Sequence, residues 1–144
     1  MSDSPFRNGD FVWTNFPERE DPLRPGPPHV SYTLAVSSMP GGVFAVAAAY
    51  TSSQPWLGEL PFGVHRFDRR EAGRLGQARP FILDLRTVAF LPITSVWFPQ
   101  LETKERGVLG RAPETLRVML ESEAKQLFRR HAELLDRRGP LQPR

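Results

Sequence analysis

Residues 80–92 read PFILDLRTVAFLP. Phe81, Leu83, Leu85, Thr87, Ala89 and Leu91 alternate with Ile82, Asp84, Arg86, Val88 and Phe90. A period of two is the signature of a β-strand, whose side chains leave opposite faces in turn. The alternation is imperfect, as in a strand that bends or changes its packing partners along its length. Proline bounds the segment at both ends.

Working back from this strand, the signals stay β-like. Phe11–Thr14 is a short β-type run after a Gly9-Asp10 turn. Residues 30–37, VSYTLAVS, are rich in β-branched and aromatic side chains and predict a strand. Residues 43–50, VFAVAAAY, are apolar almost throughout. Their short length, and the Met39-Pro40-Gly41-Gly42 turn before them, favour the second arm of a hairpin over a buried helix. Gly63–Phe67 is a further candidate strand. Residues 17–28 hold five prolines, which excludes helix and central strand. A loop that long in a small domain is often functional. Residues 69–79, polar and glycine-containing, predict a loop or one irregular turn.

Working forward, Leu116, Met119, Leu120, Ala124, Leu127, Phe128, His131, Leu134 and Leu135 recur three or four apart. That spacing predicts an amphipathic helix over 113–135. Pro113 suits its start, Arg137 and Arg138 complement its C-terminal dipole, and Gly139-Pro140 stops it. Residues 1–8 and 137–144 are expected to be flexible ends around one domain, 9–136. The fold class is mostly β with a C-terminal α-helix, a small twisted barrel or sandwich of about five to seven strands.

Composition narrows the function classes. The 144 residues suit one domain, and 40% apolar with 24% charged is ordinary for a folded soluble chain. There is no cysteine, which excludes disulfides and thiolate metal sites and makes a reducing, cytoplasmic setting the default. No apolar run is long enough to span a membrane, and the first ten residues lack a signal-peptide pattern. The net charge of +3 is carried almost wholly by arginine, the lysines being Lys104 and Lys125. Arginine matches phosphate well, so the charge permits RNA binding without arguing for it.

Few motifs carry chemistry. His29, His65 and His131 have no paired spacing, so no metal site is expected. There is no GxSxG and no P-loop. Thr51-Ser52-Ser53-Gln54 follows an apolar strand; it is either an ordinary polar turn or a set of hydroxyls and backbone N–H groups for a phosphate or an oxyanion. Asp84 and Arg86 share a face; if it is the core they must pair with something, and if it is a cleft they form a polar pair suited to a base edge or a phosphate. The arginines between Arg69 and Arg79 are either a solvated loop or contacts to an RNA backbone.

The order of these features resembles the MazF/PemK family of toxin endoribonucleases. Gly9-Asp10-Phe11-Val12-Trp13 looks like the family's opening G-D-(V/I)-(V/W) strand. After the proline-rich loop, Tyr32-Thr-Leu-Ala-Val-Ser37 resembles its R-P-A-L-V-V-S strand. Tyr50-Thr51-Ser52-Ser53-Gln54 resembles a strand end of the type T-(S/T)-Q. Ile82–Val88 is similar to (D/E)-Q-x-R-T-(I/L), with a one-residue gap. Gly107-Val-Leu-Gly-Arg111 and the helix beyond look like the G-x-L turn and terminal helix. The likeness runs through most of residues 9–135 in order.

The resemblance implies a PemK-type, SH3-like antiparallel barrel, a homodimer, a cognate antitoxin protein, and single-stranded RNA as substrate. It implies cleavage with no metal or cofactor: the ribose 2′-OH attacks the adjacent phosphate, a 2′,3′-cyclic phosphate forms and the 5′-OH leaves. Thr51 matches the family's threonine, with Ser52 beside it. The arginine that opens the family's R-P-A strand has no counterpart. His29 is the nearby group able to act as acid, base or phosphate donor. Arg86 and Asp84 are the expected RNA contacts, with Arg24, Gln54 and the Arg69–Arg79 loop as further ones. His29, Thr51 and Arg86 are expected to converge on one groove. The alternatives are a non-catalytic PemK-like module that binds nucleic acid or protein, and an adaptor that uses the barrel structurally.

Overall fold

The computed structural model describes residues 3–141. Strand β1 (Asp10–Thr14) follows Gly9, whose φ of +98° few other residues tolerate. Strands β2 (His29–Ser38) and β3 (Phe44–Ser52) form a hairpin. Its turn uses Gly41 and Gly42 at positive φ. Strand β4 (Val64–Phe67) leads into a short helix, α1 (Arg69–Arg74). Asp68 and Glu71 close its start as a reciprocal capping box. Strand β5 (Phe81–Pro92), strand β6 (Val108–Arg111) and helix α2 (Glu114–Arg130) follow. A 3-10 turn at Ala132–Leu134 then leads to strand β7 (Asp136–Arg138).

The sheet is ordered β4-β5-β3-β2-β1-β6 with antiparallel neighbours, and β7 pairs with β5. It curls into a half-barrel with both faces covered. On one face Phe11, Tyr32, Leu83, Leu85 and Val88 pack under α1 and α2. On the other, Val12, Val46, Ala48, Ala89 and Leu91 pack under Phe6, Phe16, Trp97 and Phe98 from irregular segments. Double burial explains the unbroken apolar run of β3: Ala48 and Ala49 serve opposite faces and both are buried. Leu120 and Leu127 are fully buried under the sheet, as the helical stripe predicts.

The imperfect alternation of β5 has a physical cause. Ala49 pairs with Val88, yet the next residue, Tyr50, pairs with Asp84. Leu85, Arg86 and Thr87 therefore bulge out of register with β3. The strand also changes its outer neighbour there, from β4 along Phe81–Asp84 to β7 along Thr87–Ala89.

That change corrects several expectations. The predicted helix over 113–135 ends at Arg130, and His131 leaves it at φ −135° and ψ 39°. Leaving there lets β7 reach the edge exposed at the bulge, where it pairs parallel to β5, so the sheet is not wholly antiparallel. Residues 137–141 are accordingly not a free tail. Gly139 N–H donates to Pro22 O and Leu141 N–H to Phe90 O. At the other end Phe6 is buried, its ring 4.9 Å from that of Phe98, so the expected flexible start is packed from there onward. Residues 1–2 and 142–144 of those two expectations lie outside the described residues. The segment 69–79, read as a loop or one irregular turn, contains the six-residue α1, and the segment 107–111, read as a turn, contains β6.

Candidate functional site

β2 begins and β3 ends side by side, because they are antiparallel neighbours. His29, the first residue of β2, donates from Nε2 to the carbonyl of Thr51 near the end of β3. A carbonyl only accepts, so Nε2 carries the proton in this contact. Nδ1 has no hydrogen-bond partner among the described residues. The ring lies parallel to Tyr50, 4.9 Å between centroids and 4° apart in plane. Thr51 is buried, and its Oγ1 donates to Val30 O at 2.6 Å. The threonine hydroxyl is thus committed to the backbone and holds the two strand ends together.

His29, Thr51 and Ser52 line a cleft of about 500 Å³ whose other walls include Trp13, Gln77 and Arg79. The far wall is the loop after α1. It rests on β6 through two glycines that leave no room for a side chain. A Cβ on Gly76 would lie 1.9 Å from Leu109 O, and one on Gly110 would lie 2.2 Å from Leu75 O. The Nε2 of Gln77 is buried there without a partner.

A second cleft of about 470 Å³ shares Ser53, Arg79, Pro80 and Phe81 with the first and adds Gln54, Trp56 and Arg66. The two clefts adjoin at these four residues and are together called the groove. Its lining includes Arg66, Arg79, His29 and two tryptophans, and no aspartate or glutamate. Across His29 lies a third cleft, of about 380 Å³, with the opposite character. It is lined by Glu18, Glu20 and Asp84 as well as Arg19 and Arg138.

The structure thus brings His29, Thr51, Ser52 and Gln54 to one groove, while Arg86, Asp84 and Arg24 line neither of its two clefts. Arg86 is clasped by Asp84 through Nε–Oδ1 and Nη2–Oδ2 contacts of 3.0 Å each. That hydrogen bonding pushes the guanidinium pKa further up, against the opposing effect of burial. Arg86 lies in the bulge with its Cζ 5.7 Å from the centre of the Trp56 ring. Arg24 is exposed on the loop of residues 17–28.

Sequence reasoning missed Trp13, Trp56, Arg66 and Gln77 as groove residues. A lone tryptophan in the polar stretch after β3 was the one signal available for Trp56. Among the described residues no cluster of three His, Asp or Glu side chains is placed to hold a metal ion, and no helix is long and apolar enough to cross a membrane. No protein-family model matches this chain, and no curated protein matches it in sequence.

Proposed function

We propose that the groove binds single-stranded RNA and cleaves it by attack of the ribose 2′-OH, as a toxin-like endoribonuclease. The observation that carries this reading is the lining: arginine, histidine, hydroxyl and tryptophan, with no carboxylate along two joined clefts. A polyanion with flat bases fits such a surface, because the arginines match phosphates and the tryptophans offer faces for bases to stack on.

His29 is the chemical centre of the proposal. An imidazole can both take up and give back a proton. With Nε2 donating to Thr51 O, Nδ1 is the acceptor nitrogen of the neutral ring. Nδ1 takes the proton of the 2′-OH as O2′ bonds to phosphorus. The P–O5′ bond breaks, and the imidazolium returns the proton to O5′ as it leaves. Arg79 and the Ser52 and Ser53 hydroxyls offset the charge that builds on the phosphorane oxygens. Thr51 acts through His29 and Val30 as a positioning residue. A homodimer neutralised by an antitoxin belongs to the same proposal, and light scattering of the pure protein tests its first half.

The deciding experiment incubates the protein with a long single-stranded RNA in EDTA and maps the ends. Fragments with 2′,3′-cyclic phosphate and 5′-OH ends, absent when the ribose at the cut is 2′-deoxy, are expected. RNA that is bound and stays intact would leave a binding module. RNA that is neither bound nor cut would remove nucleic acid from the account.

A further inference from the structure

Resting on that reading of the groove, we propose that Trp56 is a base-stacking platform one step along the RNA from His29, and that Asp84 and Arg86 set its plane. Trp56 lies in the irregular stretch between β3 and β4, where an aromatic ring ordinarily has many orientations open to it. Here its main chain and ring are held at three points. The indole N–H donates to Glu59 O at 3.2 Å. Its carbonyl accepts from Arg66 Nη2 at 3.0 Å. The Arg86 guanidinium stands over the ring.

Arg86 is itself fixed, since its fork and its backbone N–H both bond the Asp84 carboxylate. A fixed ring spends little conformational entropy when a base settles on it. Any base has a π-face, so a tryptophan serves every nucleotide without reading its edge. Arg66 and Arg79 line the same cleft as Trp56 and are suited to the phosphates on either side of the stacked base. The Asp84–Arg86 pair is accounted for in this way as a positioning device for the ring.

The test uses a short oligoribonucleotide that is 2′-O-methylated throughout, so that it binds without being cut. One abasic residue is walked along it and affinity is read by fluorescence anisotropy. For the native protein one abasic position should weaken binding by roughly tenfold, within the usual range for base–aromatic stacking. For Trp56→Leu that position should no longer differ from its neighbours, and Trp56→Phe should restore part of the difference. Arg86→Lys keeps the charge and loses the fork. It should shrink the abasic penalty while leaving the salt dependence of binding unchanged, a pattern that mere loss of stability does not produce. Arg79→Ala should instead lower the salt slope by about one. An abasic profile that Trp56→Leu leaves intact would overturn the platform while sparing the RNA reading. A native protein that fails to bind the unmodified oligonucleotide would overturn both.

Discussion

His29 and Tyr50 stack as a partition between two clefts with opposite chemistry. On one side the groove toward Trp56 presents cations and aromatic rings with no carboxylate. On the other, Glu18, Glu20 and Asp84 stand among arginines, two of which are already engaged within the fold. Arg138 grips Asp136 and donates from Nη1 to Pro17 O, tying the proline-rich loop to β7. Arg19 Nε lies 4.0 Å from Asp136 Oδ2. Arginines are thus bound to acids on one side, while on the other Arg66 bonds a main-chain carbonyl and Arg79 has no ion-pair partner among the described residues. An arginine count, or a net charge of +3, says nothing about which side a given arginine serves.

The contrast breaks first at the imidazole. His29→Ala should cut RNA cleavage by about 100-fold or more, the range for losing a general acid–base, with affinity for uncleavable RNA changed less than about twofold. Equal losses of binding and rate would mean that the ring is a wall of the groove and not its base. Next comes charge reversal on either side of the partition. Arg79→Glu should weaken RNA binding by about tenfold or more at low salt, whereas Glu20→Arg should change it less than about twofold. If the two substitutions act with similar size, RNA is not confined to the carboxylate-free side.

Arg138→Ala sharpens the structural half. It removes the two bonds to Asp136 and frees Pro17 O, so thermal or urea unfolding should show a loss of about 1–3 kcal/mol with cleavage per folded molecule unchanged. A selective loss of cleavage would place function in the acidic cleft. The smallest effect is expected at Tyr32, away from both clefts in the core under α2. Its hydroxyl is buried without a partner, and burial, aided by Glu121 and Asp10, pushes its pKa well above the ordinary tyrosine value. Tyr32→Phe removes an unpaired polar atom from that core and should be neutral or stabilising by up to about 1 kcal/mol. A marked loss would show that the hydroxyl is satisfied in solution.

Much of the sheet was legible in the sequence because strand signals are local. Alternation, β-branched content and glycine or proline turns located β1 to β5 within a residue or two. The adjacency of His29 and Thr51 followed once β2 and β3 were read as a hairpin. What was hidden depended on distant parts of the chain. β7 is Asp-Arg-Arg, which looks like the basic end of a helix and becomes a strand only because the β5 bulge exposes an edge. Phe6 is one apolar residue in a polar start, and nothing local says that Phe98 awaits it. Asp84 and Arg86 were placed on one face and expected as RNA contacts; they bond each other and line neither cleft of the groove. The closeness of Arg86 to Trp56 was not visible, since Trp56 lies in an irregular stretch whose course no local pattern gives.

The contact between Gly76 and Gly110 has a consequence for how this groove can change. Backbone meets backbone there, so the spacing of the far wall from β6 does not depend on which side chains border the opening. Ala78 and Arg79, both exposed, can be replaced without asking the scaffold to repack. A designer, or natural variation, can then alter what the groove selects while its breadth stays the same. Either glycine, by contrast, is a position where no compensating substitution elsewhere restores the fit, because the obstacle is the peptide chain itself.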